Sequence, residues 1–547
     1  MKHCIANVFS CALALGLVAC GGGDSGSGST GTPGMPPPSN PPPSNPPPSS
    51  GSSDVTTYKY DLNRSGWNST ETTLTPANVA SSTFGKLRTL ATDNRVDAAP
   101  LYLSQLSIGG TMHNVLYVAT ENDTVYAFDA DTGTTLWQVS LLNGEHASDT
   151  RGCGQVTPQI GITSTPVIDR TAGAIYVVAM TLDNSTNYHQ RLHALSITTG
   201  AELANSPRDI TATFGATSFD PGQYEERAAL LLVNGTIYTS WTSHCDSPPY
   251  GGWIIAFNQS SLAQTAALNV APGASGSGYA NQGPAIWMAG GGPGADAAGN
   301  VYLLTGNGRF ETTLSGGFPS GGDYGNSFLK LSLSGNTLSV ADYFTMSNEV
   351  SESQADTDLG SGGEMLLPDM TDANGTTRHL VLGAGKDSNL YIVDRDSMGK
   401  FDSGQNHIWQ ELDGALPGGI WSTPAYANGV VYYGPAGSKL RAFTVTSAKL
   451  SLAATSQSSA SFPYPGSSPS VSSNGAMNGI VWAYGNSSPA VLYAYDAADL
   501  SHELYDSSQA AGSRDQFGSS NKFMTPVVAN GKVFLATPTG VAIFGLL

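Results

Sequence analysis

Positive charge is the first thing this 547-residue chain is short of: 23 Lys and Arg stand against 42 Asp and Glu, a formal net charge of −19. A chain so acidic has no bulk attraction for nucleic acid or an anionic lipid surface, and its acidity serves solubility. Cysteine is scarce as well, at five residues, and the nine histidines are scattered. No P-loop, zinc-ligand spacing, nucleophile triad or paired-carboxylate glycosidase pattern stands out. Long apolar runs are missing too. The run from Ala12 to Val18 is far short of the roughly 20 residues that cross a bilayer.

What that run does fit is an export signal. Lys2 and His3 precede it, and it ends in Leu17-Val18-Ala19-Cys20. The ending is similar to a lipobox, which implies a signal peptide over 1–19 and a lipid on Cys20; an ordinary signal with a chance cysteine is the alternative. Residues 20–54 are nearly all Gly, Ser, Pro and Thr and cannot bury apolar surface. They are expected to be a disordered tether. By similarity to bacterial lipoproteins, Gly21 after the cysteine implies forwarding to the outer membrane. Of the remaining cysteines, Cys4 and Cys11 leave with the signal. Cys153 and Cys245 then stay in an oxidising compartment, where a disulfide is expected and two buried thiols are the alternative.

Helical periodicity is rare beyond residue 55, and short alternating strands between Gly, Asn and Asp turns are common. One unit recurs: a Thr/Ser-Pro-Val-like opening, a Gly turn, then a Val/Ile-Tyr strand. It opens at Ala98, Ser164, Ala228, Pro284, Met365, Ser422, Ser468 and Met524. Eight units of this length predict an all-β, eight-bladed β-propeller of four-stranded antiparallel blades over 55–547. The chain ends on Val541-Ala542-Ile543-Phe544, a third strand with no fourth after it. Leu87-Arg88-Thr89-Leu90 precedes the first opening, and is expected to complete the last blade and remove a bare sheet edge.

The motif Ala127-Phe128-Asp129-Ala130-Asp131-Thr132-Gly133, followed by Trp137, resembles the docking repeat of quinoprotein propellers. Between Trp287 and Gly399 the chain also resembles pyrroloquinoline quinone (PQQ) alcohol dehydrogenases. It carries in order Trp287, Thr305-Gly306-Asn307-Gly308, Gly322-Asp323-Tyr324, Asp356-Thr357-Asp358, and Gly385-Lys386-Asp387 ahead of Tyr391-Ile392-Val393-Asp394-Arg395. The resemblance implies that Trp287 stacks under the quinone and that Asn307 is a Ca²⁺ ligand. It likewise implies that Asp323 is the general base and that Lys386 hydrogen-bonds a quinone carbonyl. Departures are plain. There is no Cys-Cys pair, no Cys-x-x-Cys-His haem motif, and no Glu in Ser247-Pro248-Pro249-Tyr250-Gly251-Gly252-Trp253, where those enzymes place a calcium carboxylate; Asp246 is the nearest.

Polar and aromatic residues just before the openings are expected to approach the central channel: Arg95, Asp97, Glu226, Arg227, Glu364, Trp421 and Lys522. They offer a site for a small polar ligand, or a set satisfied by water and one another. Two functions remain open: a PQQ-type dehydrogenase of an alcohol or polyol with a degenerate cofactor site, and a non-catalytic propeller binding envelope protein or glycan. The latter resembles the propeller lipoprotein that assists outer-membrane assembly.

Overall fold

The structure, a computed structural model, describes residues 53–547 apart from Ser277, Tyr279 and Ala280. The export signal, the lipidated Cys20 and all but the last residues of the linker lie outside the described residues. Among those described, no helix is long and apolar enough to cross a membrane.

The described strands form eight blades in chain order. Blade 1 runs through Leu101–Ile108, Thr111–Ala119, Thr124–Asp129 and Thr135–Ser140. Innermost strands then recur at Val167–Asp169, Leu231–Val233, Gly294–Ala295, Met365–Leu366, Ala425–Ala427, Ser470–Asn474 and Val527–Ala529, each followed by antiparallel neighbours. The predicted openings fall on these strands except in blade 4, where Pro284 stands ten residues early. The residues in between carry Trp287 to the channel mouth, and the inner strand shrinks to Gly294–Ala295.

Ring closure is as expected. Phe84–Ala91 pairs antiparallel with Gly540–Leu546, so the last blade is assembled from both ends of the fold. The docking motif also behaves as its chemistry predicts. Asp129 Oδ1 accepts from the backbone N–H of Asp131 (3.0 Å) and Thr132 (2.7 Å), and Gly133 takes φ +82°. Trp137 reaches blade 2, donating to Ile197 O at 3.1 Å, and its ring lies where a Cβ on Gly200 would be 2.6 Å away. The core sits between blades: Leu380, Leu382 and Ile392 of blade 5 pack with Val431 and Phe443 of blade 6, and Tyr432 and Leu440 of blade 6 with Val481 and Tyr495 of blade 7. Each blade is therefore stable through its neighbours.

Residues 55–71 have a role the sequence did not announce. They close one end of the channel, touching all eight blades. Val55 exchanges backbone hydrogen bonds with Tyr102 of blade 1, and Thr56 O accepts from Ile168 N of blade 2. Leu62 O, Asn63 O, Ser65 O and Gly66 O accept from Ala295, Leu366, Tyr426 and Val471 of blades 4, 5, 6 and 7. Arg64 donates to Leu230 O of blade 3, and Asn68 Nδ2 to Val528 O of blade 8.

Candidate functional site

The other end of the channel is a cup. It encloses about 210 Å³ and is lined chiefly by residues that precede innermost strands or follow second strands. Trp287, Trp421, Tyr464 and Phe523 supply aromatic walls, Arg227 and Lys386 cations, and Asp246, Asp356 and Asp358 carboxylates.

Glycine-dependent packing builds the carboxylate side. A Cβ on Gly306 would lie 2.6 Å from Asp358 Oδ1 and 3.0 Å from Trp287 Cδ1, so the turn after Val301–Leu304 needs glycine to let both approach. Asp358 Oδ1 accepts from Asn307 N at 2.6 Å, and Asp358 Oδ2 meets Lys386 Nζ at 2.6 Å. Lys386 also bonds Asp356 Oδ1 at 3.0 Å, and its own N–H donates to Asp358 O. Burial pushes the Asp358 carboxyl above its usual range even with that ammonium beside it. Burial opposes the charge on Lys386, but Asp358 and Asp356 outweigh it and hold the ammonium above its ordinary value. Asp246 bonds Tyr250 Oη at 3.0 Å, and burial raises its carboxyl.

Of the residues singled out from the sequence, the structure brings Trp287, Asn307 and Lys386 together with Asp358. Asp323 does not line the cup. It is buried, with Arg309 Nε at 2.5 Å from Oδ2 and Gly273 N donating to Oδ1 at 2.8 Å. That places a fixed ion pair where a free base was expected. The carboxylate in contact with Lys386 and Asn307 is Asp358, the second acid of the Asp-x-Asp motif.

The channel candidates divide. Arg227 and Trp421 line the cup; Trp421 meets Tyr464 edge to face at 5.4 Å. Asp97 and Lys522 line a narrow continuation beneath it with Arg227 and Gln155. Glu226 is buried in the wall, hydrogen-bonded to Ser164 at 2.9 Å, and burial pushes its carboxyl to about 8. Glu364 is buried near Arg64 of the plug, accepting from Gly294 N at 2.7 Å, and burial likewise raises it to about 8. Arg95 stands half-buried with its charge felt at Lys522.

Sequence reasoning missed Gln155, Tyr464 and Phe523, which no motif marks. Cys153 and Cys245 form a disulfide with Cα atoms 5.5 Å apart, and their neighbours Gln155 and Asp246 line the cup.

The donor set fits a flat, carbonyl-bearing ligand better than a calcium ion. Trp287 offers an aromatic face and Lys386 a charged donor. For calcium, Asn307 is buried with its Nδ2 unpartnered, yet Asp358 already faces an ammonium. Among the described residues no group of three or more His, Cys, Asp or Glu side chains is arranged to hold a metal. The calcium set is incomplete, and no step is routed through that ion.

The fold is an eight-bladed propeller, and comparison with known proteins finds the same fold. The sequence profile described as outer membrane protein assembly factor BamB, of the PQQ_2 type, matches residues 107–244. A quinohemoprotein alcohol dehydrogenase of Comamonas testosteroni superposes with a TM-score of 0.60 at 15% identity, covering 90% of this chain and 80% of that one. One from Pseudomonas putida gives 0.56 at 13%, covering 90% and 80%. A europium-containing methanol dehydrogenase gives 0.56 at 12%, covering 90% and 98%. At such identities these likenesses speak for the fold. No curated protein matches the chain by sequence. The chain is an eight-bladed β-propeller, and the family profile matches one stretch of it, residues 107–244.

Proposed function

We propose that this chain is an exported propeller, anchored to the cell envelope by a lipid on Cys20, whose cup binds a flat quinone-type cofactor and serves oxidation of an alcohol or polyol. The observation that carries the reading is the convergence of Trp287, Asp358 and Lys386 on one cavity from three separate loops, with the Asn307 N–H bonded to Asp358. Trp287 would stack under the ring system and Lys386 would donate to a ring carbonyl. A bound quinone supplies the electron sink. Asp358, raised by burial and oriented by Asn307 N–H, would take the proton of a ligand hydroxyl once Lys386 turns from it to the quinone carbonyl, the role the resemblance implied for Asp323. Titration of the purified chain with PQQ, with and without Ca²⁺, tests this directly. Bound-quinone absorbance and dye reduction with alcohols support it; no binding at tens of micromolar ends it.

A second reading, a non-catalytic scaffold binding envelope protein or glycan, draws on the BamB-described match over 107–244 and the incomplete calcium set. Recovery of one specific envelope partner by a chain that does not bind PQQ would favour it.

A further inference from the structure

A second cavity, of about 260 Å³, lies at blade 3 and shares no lining residue with the cup. Tyr250 lines this cavity, while its hydrogen-bond partner Asp246 lines the cup. One wall is the hairpin of Thr213–Phe214 and Thr217–Ser218 with the segment 220–224 that follows it. The other is the chain from Asn269 to Ala274, at the end of the strand Gln264–Asn269.

Both walls are pinned from behind. Arg151 Nε donates to Gly222 O at 2.7 Å, and Gln190 Nε2 to Pro221 O at 3.0 Å. The Tyr224 ring stacks on Phe219 with centroids 5.2 Å apart, and Phe219 in turn meets Trp241 and Trp253 edge to face. On the opposite wall Gly273 N donates to Asp323, whose carboxylate is fixed by Arg309. The ion pair that withdraws Asp323 from the cup thus holds the wall of this cavity. A site held in this way meets a ligand with little reorganisation.

The groups it presents are only half satisfied. Asn269 is 2% exposed; its Oδ1 accepts from Ala271 N at 2.9 Å, and its Nδ2 has no protein partner. A Cβ on Gly251 would lie 2.6 Å from that Oδ1 and 3.1 Å from Nδ2, so glycine there keeps the amide uncovered. Gln223 Nε2 donates to Ser247 O at 2.6 Å, and Asp220 Oδ1 accepts from Gly222 N at 2.9 Å. Gln223 Oε1 and Asp220 Oδ2 are left without a protein hydrogen bond. Tyr224, Pro249, Tyr250, Pro272 and Ala274 supply apolar surface between them, and among the described residues no Lys, Arg or His lines the cavity. Donors, acceptors and apolar patches without a cation match a neutral ring with hydroxyls on its rim and C–H bonds on its faces. An anion would meet Asp220 and no counter-charge.

We propose that this cavity is a binding site for a neutral saccharide residue, separate from the cup and standing whether or not the cup takes a quinone. Asn269 Nδ2 donates to one hydroxyl of the sugar, and Asp220 Oδ2 and Gln223 Oε1 accept from others.

The test is saturation-transfer NMR of glucose, maltose and cellobiose with the purified chain, followed by titration of the sugar that binds best. Weak binding, with Kd in the millimolar range, is expected from a few hydrogen bonds made in competition with water. Asn269→Asp keeps the acceptor for Ala271 N and removes the donor, and Ser218→Trp, at an exposed hairpin position, fills the cavity. Each should weaken binding about tenfold or more, roughly one hydrogen bond with a buried partner left unpaired. No transfer to any of the three sugars, undiminished binding by either variant, or displacement of the sugar by PQQ overturns the site. Sugar binding by a chain that does not bind PQQ retires the quinone reading alone; PQQ binding without sugar binding retires the saccharide site alone.

Discussion

The two ends of the channel use the same kinds of side chain to opposite effect. At the plugged end Arg64, buried, spends its guanidinium on Gly292 O, Pro293 O, Tyr58 O, Leu230 O and Thr57 Oγ1, at 2.6 to 3.3 Å. Lys59, also buried, donates to Pro424 O and Pro469 O. Both cations are held chiefly by backbone carbonyls, most of them from the ring. At the cup end Arg227 and Lys386 line a cavity instead, and Lys522 lines its narrow continuation. A buried cation satisfied by carbonyls is a fastener, whereas one paired to carboxylates at the wall of an open cavity can still reach a ligand.

Breaking the plug should cost most. Arg64→Ala strands four carbonyls and leaves Glu364 and Asp61 without a nearby positive charge, so a loss on the order of 5 kcal/mol is expected in denaturant unfolding, with PQQ binding unchanged in the folded fraction. Next comes the Cys153–Cys245 bridge, which closes a 92-residue separation. Its removal as the double alanine variant should cost about 4 kcal/mol in the chain-entropy model, and should also loosen the Gln155 and Asp246 walls of the cup.

Lys386→Met inverts the pattern of Arg64. It should weaken PQQ binding by about 2 kcal/mol, roughly thirtyfold, and cost less stability than Arg64→Ala, since Asp358 and Asp356 are left at the wall of an open cup. Lys59 sharpens the contrast through pH. Burial lowers its ammonium to about 7 in the folded protein against 10.5 in the unfolded chain. Between those values the unfolded chain holds more protons, so this residue makes stability rise with pH from about 7 to 10. The difference in stability between the protein and Lys59→Met should show that rise, and a flat difference would place the charge in water. Asp323→Asn is the smallest expected effect on the cup. With its carboxylate committed to Arg309, PQQ affinity should change by less than about threefold, whereas a large loss would return Asp323 to the site.

The ring was legible because each blade repeats one opening and one turn chemistry, and because an unfinished last blade calls for a strand from elsewhere. Leu87–Leu90 met that need. The plug was not legible. Residues 55–71 make bonds to blades far along the chain and carry no period of their own, so nothing in the sequence marks Arg64 or Lys59. In the cup, motif order singled out Trp287, Asn307 and Lys386, which lie near Asp358, but it gave no sign of where Asp323 would sit. Asp323 is buried because Arg309, fourteen residues before it, folds back onto it. Blade 4 misled for a related reason: Pro284 resembles an opening, but its segment is diverted to bring Trp287 into the mouth.

Amide hydrogen exchange read by mass spectrometry, with and without PQQ, tests the division between the ends most directly. In the free protein, peptides spanning 55–71 should exchange as slowly as the innermost strands, and PQQ should slow exchange only around Trp287, Asp356–Asp358, Lys386 and Phe523. Rapid exchange across 55–71, or protection by PQQ at that end in place of the cup, would contradict it.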